Sequence, residues 1–456
     1  MSTPLPNQAS STRAAPELPL AVGRKAVSVG DTLVALFLPC AAGTEELLAA
    51  EVQRILGDEA SGEVLRGGVL VEGGALAAMR LNLESRLAQR VLWPLAHGPY
   101  DNEHDLYALA RTVAWVDWIT PAQTFRIDTT AQRSPLQSLN FATLRVKDAV
   151  CDVLRDATGE RPSIDTKFPD LPLSLHLTPT HATLYADTSG EALFKRGWRD
   201  AQGLKGEAPL KETLAAAMLA AAGWQGRAED GPLFDPCCGA GTIAIEAAQI
   251  ACAIAPGLAR RFAFERMLPF RHHQNAWSRL KDAARGRQHA PAVAIYAGDV
   301  SFRMVDFAQH NAARAGVANV IEFKTADALQ RLPPAELGAS GGMLVLNPPY
   351  GERIDPKGSR GEQRGGPRAV RESFDSGANP AEFFSQLAAH WKRHYAGWTA
   401  WLLSPDMKLP QALRLKESRR VPLWNGPIEC RLFRFDLVAG SARAAPPAAP
   451  PADPAA

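Results

Sequence analysis

At 456 residues, with 46% apolar and 21% charged side chains, the chain is too long for one ordinary domain and too apolar for a disordered one. A formal net charge of +2 excludes a global field for nucleic acid and leaves any such contact to local basic patches. No apolar run approaches the roughly 18 residues of a membrane helix, and six cysteines without a C-x-x-C spacing argue against a zinc site and a disulfide framework.

Residues 1–30 are rich in Ala, Pro and Ser and lack an apolar h-region, so they read as a disordered tail without a signal peptide, in a cytoplasmic protein. A first small α+β block spans 31–98. It opens with the strand "DTLVALFLPC" and the helix "GTEELLAAEVQRIL", whose Leu47, Leu48, Val52 and Ile55 share one face. Short strands around "GEVLRGGVLVEG" and a long helix, "ALAAMRLNLESRLAQRVL", complete it. A second α+β block spans 99–192. It holds the helix "DLYALARTVAW", the strand "TFRIDTTA", the helix "NFATLRVKDAVCDVLRDA" and the hairpin "LSLHLTPTHATLYAD".

A linker, 193–209, leads into a larger block, 210–439, where strands and helices alternate. Helix "KETLAAAMLAAAGW" precedes strand "PLFD", a Gly turn and helix "TIAIEAAQIACAI". Strand "VAIYAGD", helix "FRMVDFAQHNAARAG", and strands "VIEFKTAD" and "GMLVLN" follow. Helix "PAEFFSQLAAHWKRHYAG", strand "TAWLLSP" and a hairpin with an Asn-Gly turn, "RVPLWNGPIECRLFRFDL", close the block. This rhythm means an α/β fold with a parallel sheet and an antiparallel end. Residues 356–378 read as an insertion and 440–456 as a second tail.

Two strand ends carry chemistry. "LFDPCCGAGTIAIEAA" is a strand, a Gly turn and a helix, which brings backbone amides close to a ligand. No Lys follows Gly241, so it is not a phosphate-binding Walker loop. The permissive dinucleotide pattern is met, but the ribose acid expected about 20 residues on is missing. S-adenosylmethionine is the third reading, because its cationic head suits a turn that opens with Asp235. Asp299 and Asp327 close the next two strands and could hold a ribose and an adenine amino group, although either alone is commonly a helix N-cap.

The second strand end is "LVLNPPYGER". Proline cannot donate to a sheet ladder, so the strand stops at Asn347, on the edge where open α/β sheets bind ligands. The Asn347 side-chain oxygen and the Pro348 carbonyl can each accept a hydrogen from a planar amino group and aim its lone pair at a methyl carbon. Pro349 stiffens the corner, and Tyr350 can stack on a base. Cations with an interleaved aromatic suggest RNA contacts: Arg145 and Lys147 on a helix, and Lys195, Arg196, Trp198 and Arg199 in the linker. The Cys237–Cys238 pair reads as small residues fitting a tight turn, with no metal role.

These motifs resemble the Rossmann-fold methyltransferases that modify exocyclic amino groups. The stretch "LFKRGWRDAQGLKGEAPLKETLAAAMLAAAGW" is similar, more narrowly, to the THUMP-containing RNA guanine-N2 methyltransferases, as in the amino-terminal half of bifunctional bacterial 23S ribosomal RNA methyltransferases. The likeness runs from about Leu33 to Leu437. It implies a Rossmann-like class I methyltransferase domain preceded by small α+β ferredoxin-like and THUMP domains. It also implies S-adenosyl-L-methionine as cofactor, and 23S ribosomal RNA or a large-subunit precursor as partner. Asp235, Pro236, Cys237, Gly239, Gly241, Thr242, Asp299, Asp327 and Asn347 then fall on cofactor-binding positions, and Asn347 to Tyr350 on the catalytic corner. Two departures stand out. The chain ends where the bifunctional enzymes begin a second methyltransferase, so one reaction is expected. Ser301 sits where relatives often carry a second acid. The competing readings are an amino-methyltransferase for tRNA, a protein glutamine or DNA adenine, and an inactive RNA-binding assembly factor.

Overall fold

The computed structural model describes residues 29–57, 60, 62–199, 210–334, 341–348 and 380–438. Both expected tails, the insertion 356–378, part of the linker, and Pro349 and Tyr350 lie outside them.

The front half contains β1 (Val34–Pro39), α1 (Glu45–Leu56), β2 (Glu63–Leu65), β3 (Gly68–Gly73), α2 (Ala75–Glu84) and β4 (Leu92–Pro99). There follow α3 (Glu103–Arg111), β5 (Thr124–Ala131), α4 (Leu139–Thr158), β6 (Ser163–Ile164), β7 (Leu171–Leu177) and β8 (His181–Asp187). Leu48, Val52 and Ile55 are buried on α1, as their spacing predicts. The two expected α+β blocks share one eight-stranded sheet, in the order β2-β3-β1-β4-β8-β7-β5-β6.

β4 makes the join, and of the helix expected over 75–92 only Ala75–Glu84 forms, with 85–91 running as irregular chain into β4. The helix stops at Glu84 because the carboxylate of Glu51, itself buried on α1, accepts from the amides of Arg86 (2.9 Å) and Leu87 (3.2 Å) and from the Ser85 hydroxyl (2.6 Å). The freed chain becomes a strand that pairs with β8 through a bulge at Pro94–Ala96 and touches β1 at Leu92.

The rear half comprises α5 (Glu212–Ala222), β9 (Leu233–Asp235), α6 (Thr242–Ala251), α7 (Gln274–Gly286), β10 (Ile295–Asp299), α8 (Phe302–Arg314), β11 (Ile321–Thr325) and β12 (Met343–Leu346). It ends with α9 (Pro380–His394), β13 (Thr399–Ser404), α10 (Leu409–Leu413), β14 (Arg419–Asn425) and β15 (Ile428–Asp436). The sheet order is β11-β10-β9-β12-β13-β15-β14, parallel from β11 to β13, with β15 antiparallel to β13 and to β14. In the final hairpin Asn425 pairs with Ile428, so the turn is Gly426-Pro427, one residue later than the expected Asn-Gly. Gly426 takes φ +63°, which Pro427 cannot adopt. Between α6 and β10, where the sequence pattern suggests no element, lie two 3-10 turns (Ala263–Arg266 and Leu268–His273) and α7.

Candidate active site

β9 lies between β10 and β12, so crossovers leave it toward opposite sides of the sheet and open a crevice beyond its carboxyl end. The Gly turn fills that point. Gly241 takes φ +84° before α6, and a Cβ there would stand 2.9 Å from the Cβ of Ala308 on α8. Gly239 takes φ +51°. The amide of Cys238 donates to the Gly298 carbonyl (2.8 Å), and the Asn311 side chain donates to the Ala240 carbonyl (3.0 Å), so the turn is clamped from β10 and from α8.

Asp235 ends β9 with 1% of its surface exposed. Its carboxylate accepts from the Cys237 amide (3.2 Å). Burial pushes its carboxyl well above the usual range, and the negative charge of Asp299 adds to the push. Asp299 accepts from the amides of Gly239 (3.0 Å) and Ser301 (3.0 Å), which ties the end of β10 to the turn. Asp327, two residues past β11, accepts from the Leu329 amide (2.9 Å). Ser301 caps α8 through the Met304 amide, which accounts for a hydroxyl at that position.

All three acids act electrostatically on one thiol. Half-buried Cys237 is pushed well above its ordinary value by burial, then by the charges of Asp235, Asp299 and Asp327. Among the described residues none of these carboxylates is in an ion pair. Such a pocket suits a ligand that brings a positive charge, hydroxyls and an amino group.

Beside it, β12 buries Leu344, Val345 and Leu346 completely and delivers a half-buried Asn347 and a buried Pro348. Leu344 is level with Phe234 of β9, so Asn347 stands two residues, roughly 7 Å, beyond Asp235 at the mouth of the crevice. Val300 and Phe302, which residue patterns did not single out, flank Ser301 at this edge with 73% and 75% of their surfaces exposed.

The candidate RNA cations divide. Arg196 and Trp198 are each 2% exposed, and this corrects the expectation that they face RNA. The Arg196 guanidinium donates to Glu246 (3.0 Å) and to the carbonyls of Leu193 and Arg86, while Arg86 donates to the other Glu246 oxygen (2.9 Å). Arg199 donates to buried Glu212 (2.5 Å), to the Leu210 carbonyl and to the Thr242 hydroxyl (2.7 Å), so it struts the start of α5 against α6. That contact also gives Thr242 a structural partner. Lys195 is exposed and pairs with Glu191 (2.8 Å). Arg145 and Lys147 are half-buried on α4, share Asp148, and Arg145 stacks on Tyr107. Residue patterns also missed the buried Arg86–Glu246–Arg196 bridge. Its signal was the lone charged residue in the largely apolar "TIAIEAAQIA".

Comparison with known proteins finds three matching domains. Residues 35–92 match an RlmL ferredoxin-like domain, 100–187 a THUMP domain, and 196–363 an RMKL-like methyltransferase domain. The chain is 36% identical over 410 residues to the ribosomal RNA large subunit methyltransferase K/L of Psychromonas ingrahamii, covering 89% of this chain and 50% of that protein. It is 37% identical over 416 residues to the protein of the same name in Syntrophotalea carbinolica, covering 89% and 54%. The chain thus spans about half the length of these curated relatives. Among solved structures, SMU.472 in complex with SAH superposes with a TM-score of 0.75 at 25% identity, over 89% of this chain and 98% of that one. A possible methylase from Clostridium difficile 630 superposes with a TM-score of 0.74 at 26% identity, over 89% and 98%.

Proposed function

From a chain that carries an RlmL ferredoxin-like domain, a THUMP domain and an RMKL-like methyltransferase domain, in that order, we propose an enzyme that methylates ribosomal RNA at the exocyclic N2 amino group of a guanine in the 23S molecule. The substrate is the free RNA or a large-subunit precursor, and the enzyme works in the cytoplasm. The observation that carries this reading is that Asp235, Asp299 and Asp327 stand at or just past the ends of three neighbouring strands, with no ion-pair partner among the described residues, beside the Asn-Pro corner that ends β12.

The residues present fit S-adenosyl-L-methionine. Asp235, Gly239 and Gly241, with Pro236 and Cys237, hold its charged amino-acid end, Asp299 its ribose hydroxyls and Asp327 its adenine amino group. The cofactor supplies a methyl carbon made electrophilic by a sulfonium. Asn347 and the Pro348 carbonyl accept the two hydrogens of the guanine amino group, turning its lone pair away from the ring system and toward that carbon. When bound, the cofactor would supply its methyl group to that nitrogen, and the hydrogen displaced would pass to water as a proton. No strong base is needed beforehand. Pro349 and Tyr350 are assigned to stiffening the corner and stacking on the base. Arg145, Lys147 and Lys195 remain as surface cations for the RNA backbone.

Asn347→Ala tests the assignment. Turnover should fall at least a hundredfold while calorimetry finds the cofactor dissociation constant within about twofold of wild type, since the lost acceptor serves the target amine. An equal loss of cofactor affinity would remove Asn347 from the catalytic role. Nucleoside mass mapping of ribosomal RNA treated with the enzyme decides the substrate. A mark on tRNA, a protein glutamine or DNA adenine, or none on any of them, would overturn the guanine-N2 assignment.

A further inference from the structure

The segment between α6 and β10 has no part in the site above, yet it concentrates charge and aromatic rings. Between Arg260 and Arg287 a nearly neutral chain places eight arginines and lysines against two acids. Some are matched: Arg266 reaches Asp170, Arg285 reaches Asp282, and Arg287 reaches Glu84. Arg261, Arg271 and Arg279 are exposed, and no acid among the described residues pairs with them. The 3-10 turn that carries Arg271 runs directly into α7, where Gln274, Ser278 and Lys281 follow at helical spacing on one face.

That face closes a cavity of about 220 Å³ against α2, walled by Phe264, Phe270 and Trp277 and rimmed by Glu265, Gln274, Ser278 and Lys281. The walls are fixed, since Phe264 meets Trp277 edge-on at 5.0 Å and packs on Phe270 at 5.3 Å. Trp277 is 7% exposed, and its buried indole N–H has no acceptor among the described residues. Trp277 thus lines the cavity with an unsatisfied donor. The Lys281 ammonium lies 5.0 Å from the Trp277 ring centre.

We propose that this cavity takes one unstacked nucleobase of the RNA substrate, and that Arg261, Arg271 and Arg279 hold the phosphates on either side of it. The inference rests on the RNA-methyltransferase reading above. A base offers an apolar ring to the aromatic lining and polar edges to Gln274, Ser278 and Lys281. The extended backbone on either side meets guanidiniums that no acid among the described residues pairs with. The pocket lies at the seam between the front sheet and the methyltransferase half. It therefore anchors the RNA at a second point, away from the base that is methylated.

The test uses the full chain and transcribed 23S ribosomal RNA, with binding followed across a potassium chloride series. Arg271→Glu with Arg279→Glu should weaken binding at least tenfold near 0.15 M salt. It should also flatten the log–log salt slope by about 1.5, since each lost phosphate contact removes about 0.7–0.9. Gln274→Ala and Trp277→Phe should weaken binding about three- to tenfold with the slope unchanged, because they touch a neutral base. Gln274 is exposed, so its variant keeps the test valid if Trp277→Phe misfolds. Calorimetric affinity for S-adenosylhomocysteine should stay at the wild-type value in all of them. Wild-type RNA binding by the double reversal overturns the proposal, and wild-type binding by both pocket variants overturns the base assignment. Methylation of the same RNA is measured in parallel. If the wild-type protein methylates it and every variant binds normally, this inference fails while the functional reading stands. If the RNA stays unmethylated but binding still depends on these residues, the functional reading fails and the second RNA site stands.

Discussion

Two buried acids on one strand–turn–helix unit have opposite surroundings. Asp235, at the end of β9, is 1% exposed and has no cation among the described residues. Glu246, in the middle of α6, is fully buried and holds a guanidinium on each oxygen, Arg196 from the linker and Arg86 from the front half. The second acid is complete within the protein, and its pairings pin three parts of the chain together. The first has its carboxyl pushed well above the usual range, so its charged form is costly until a cation arrives. Burial is the same; what differs is whether the fold supplies the counter-charge. That difference separates a structural bridge from a binding site.

The largest effect is expected at the bridge. Glu246→Ala strands two buried guanidiniums and should cost about 3–5 kcal/mol, read as a fall in the urea midpoint and faster proteolysis near the linker. Replacing Glu246, Arg86 and Arg196 together by apolar residues of similar volume should recover most of that loss. If Glu246→Ala leaves the midpoint unchanged, the bridge is not what joins the halves.

Asp235→Asn should do the reverse. The native carboxyl is raised above its unfolded value, so between about pH 4 and that higher value the folded state binds more protons and stability falls as pH rises. The amide removes this slope. The variant should be at least as stable as wild type at neutral pH, yet lose cofactor affinity a hundredfold or more. A variant less stable than wild type at every pH would show that the carboxylate is already satisfied within the fold.

Next come the two neighbouring acids. Asp299→Ala should weaken cofactor binding by about 1.5–3 kcal/mol, roughly ten- to 150-fold, because a charged acceptor is lost. It also frees the amides of Gly239 and Ser301, so the turn loosens with it. Asp327→Ala loses one amide contact and should weaken binding less. Unchanged calorimetric constants in both would reduce these residues to backbone caps.

The smallest effect tests the comparison on adjacent residues. Lys195→Glu alters an exposed pair with Glu191 and should move stability by less than about 0.5 kcal/mol and RNA affinity by about twofold. Arg196→Glu, one residue on, places a second acid against buried Glu246 and should unfold the junction. Similar thermal midpoints for the two variants would contradict the assignment of Arg196 to the bridge.

Most of the rear half was legible because its signals are local. Strand-length apolar runs, the glycines at positive φ and the proline stop after Leu346 each depend on a few neighbouring residues. The helix expected over 75–92 failed for a non-local reason, since Glu51, on a different helix, takes the amides of Arg86 and Leu87. The linker cations failed similarly. "FKRGWR" has the composition of an RNA-binding segment, but composition does not say that Glu246, fifty residues on, lies within reach of Arg196. The aromatic and basic segment around α7 has no clean period of its own, because Phe264, Phe270 and Trp277 pack across two 3-10 turns and a helix.

By itself, then, the sequence determined the alternation of strands and helices, the Gly turn after Asp235, the acids at successive strand ends and the Asn-Pro corner. All of these follow from backbone preferences and residue types that act over short range. Only the tertiary structure decided that the two front blocks share one sheet through β4. It alone showed that Arg196 and Arg199 serve buried acids, and that the three carboxylates bear on Cys237 with no ion-pair partner among the described residues. Those outcomes depend on which charges folding brings together in a medium of low dielectric constant, where the presence or absence of one counter-ion outweighs any local propensity.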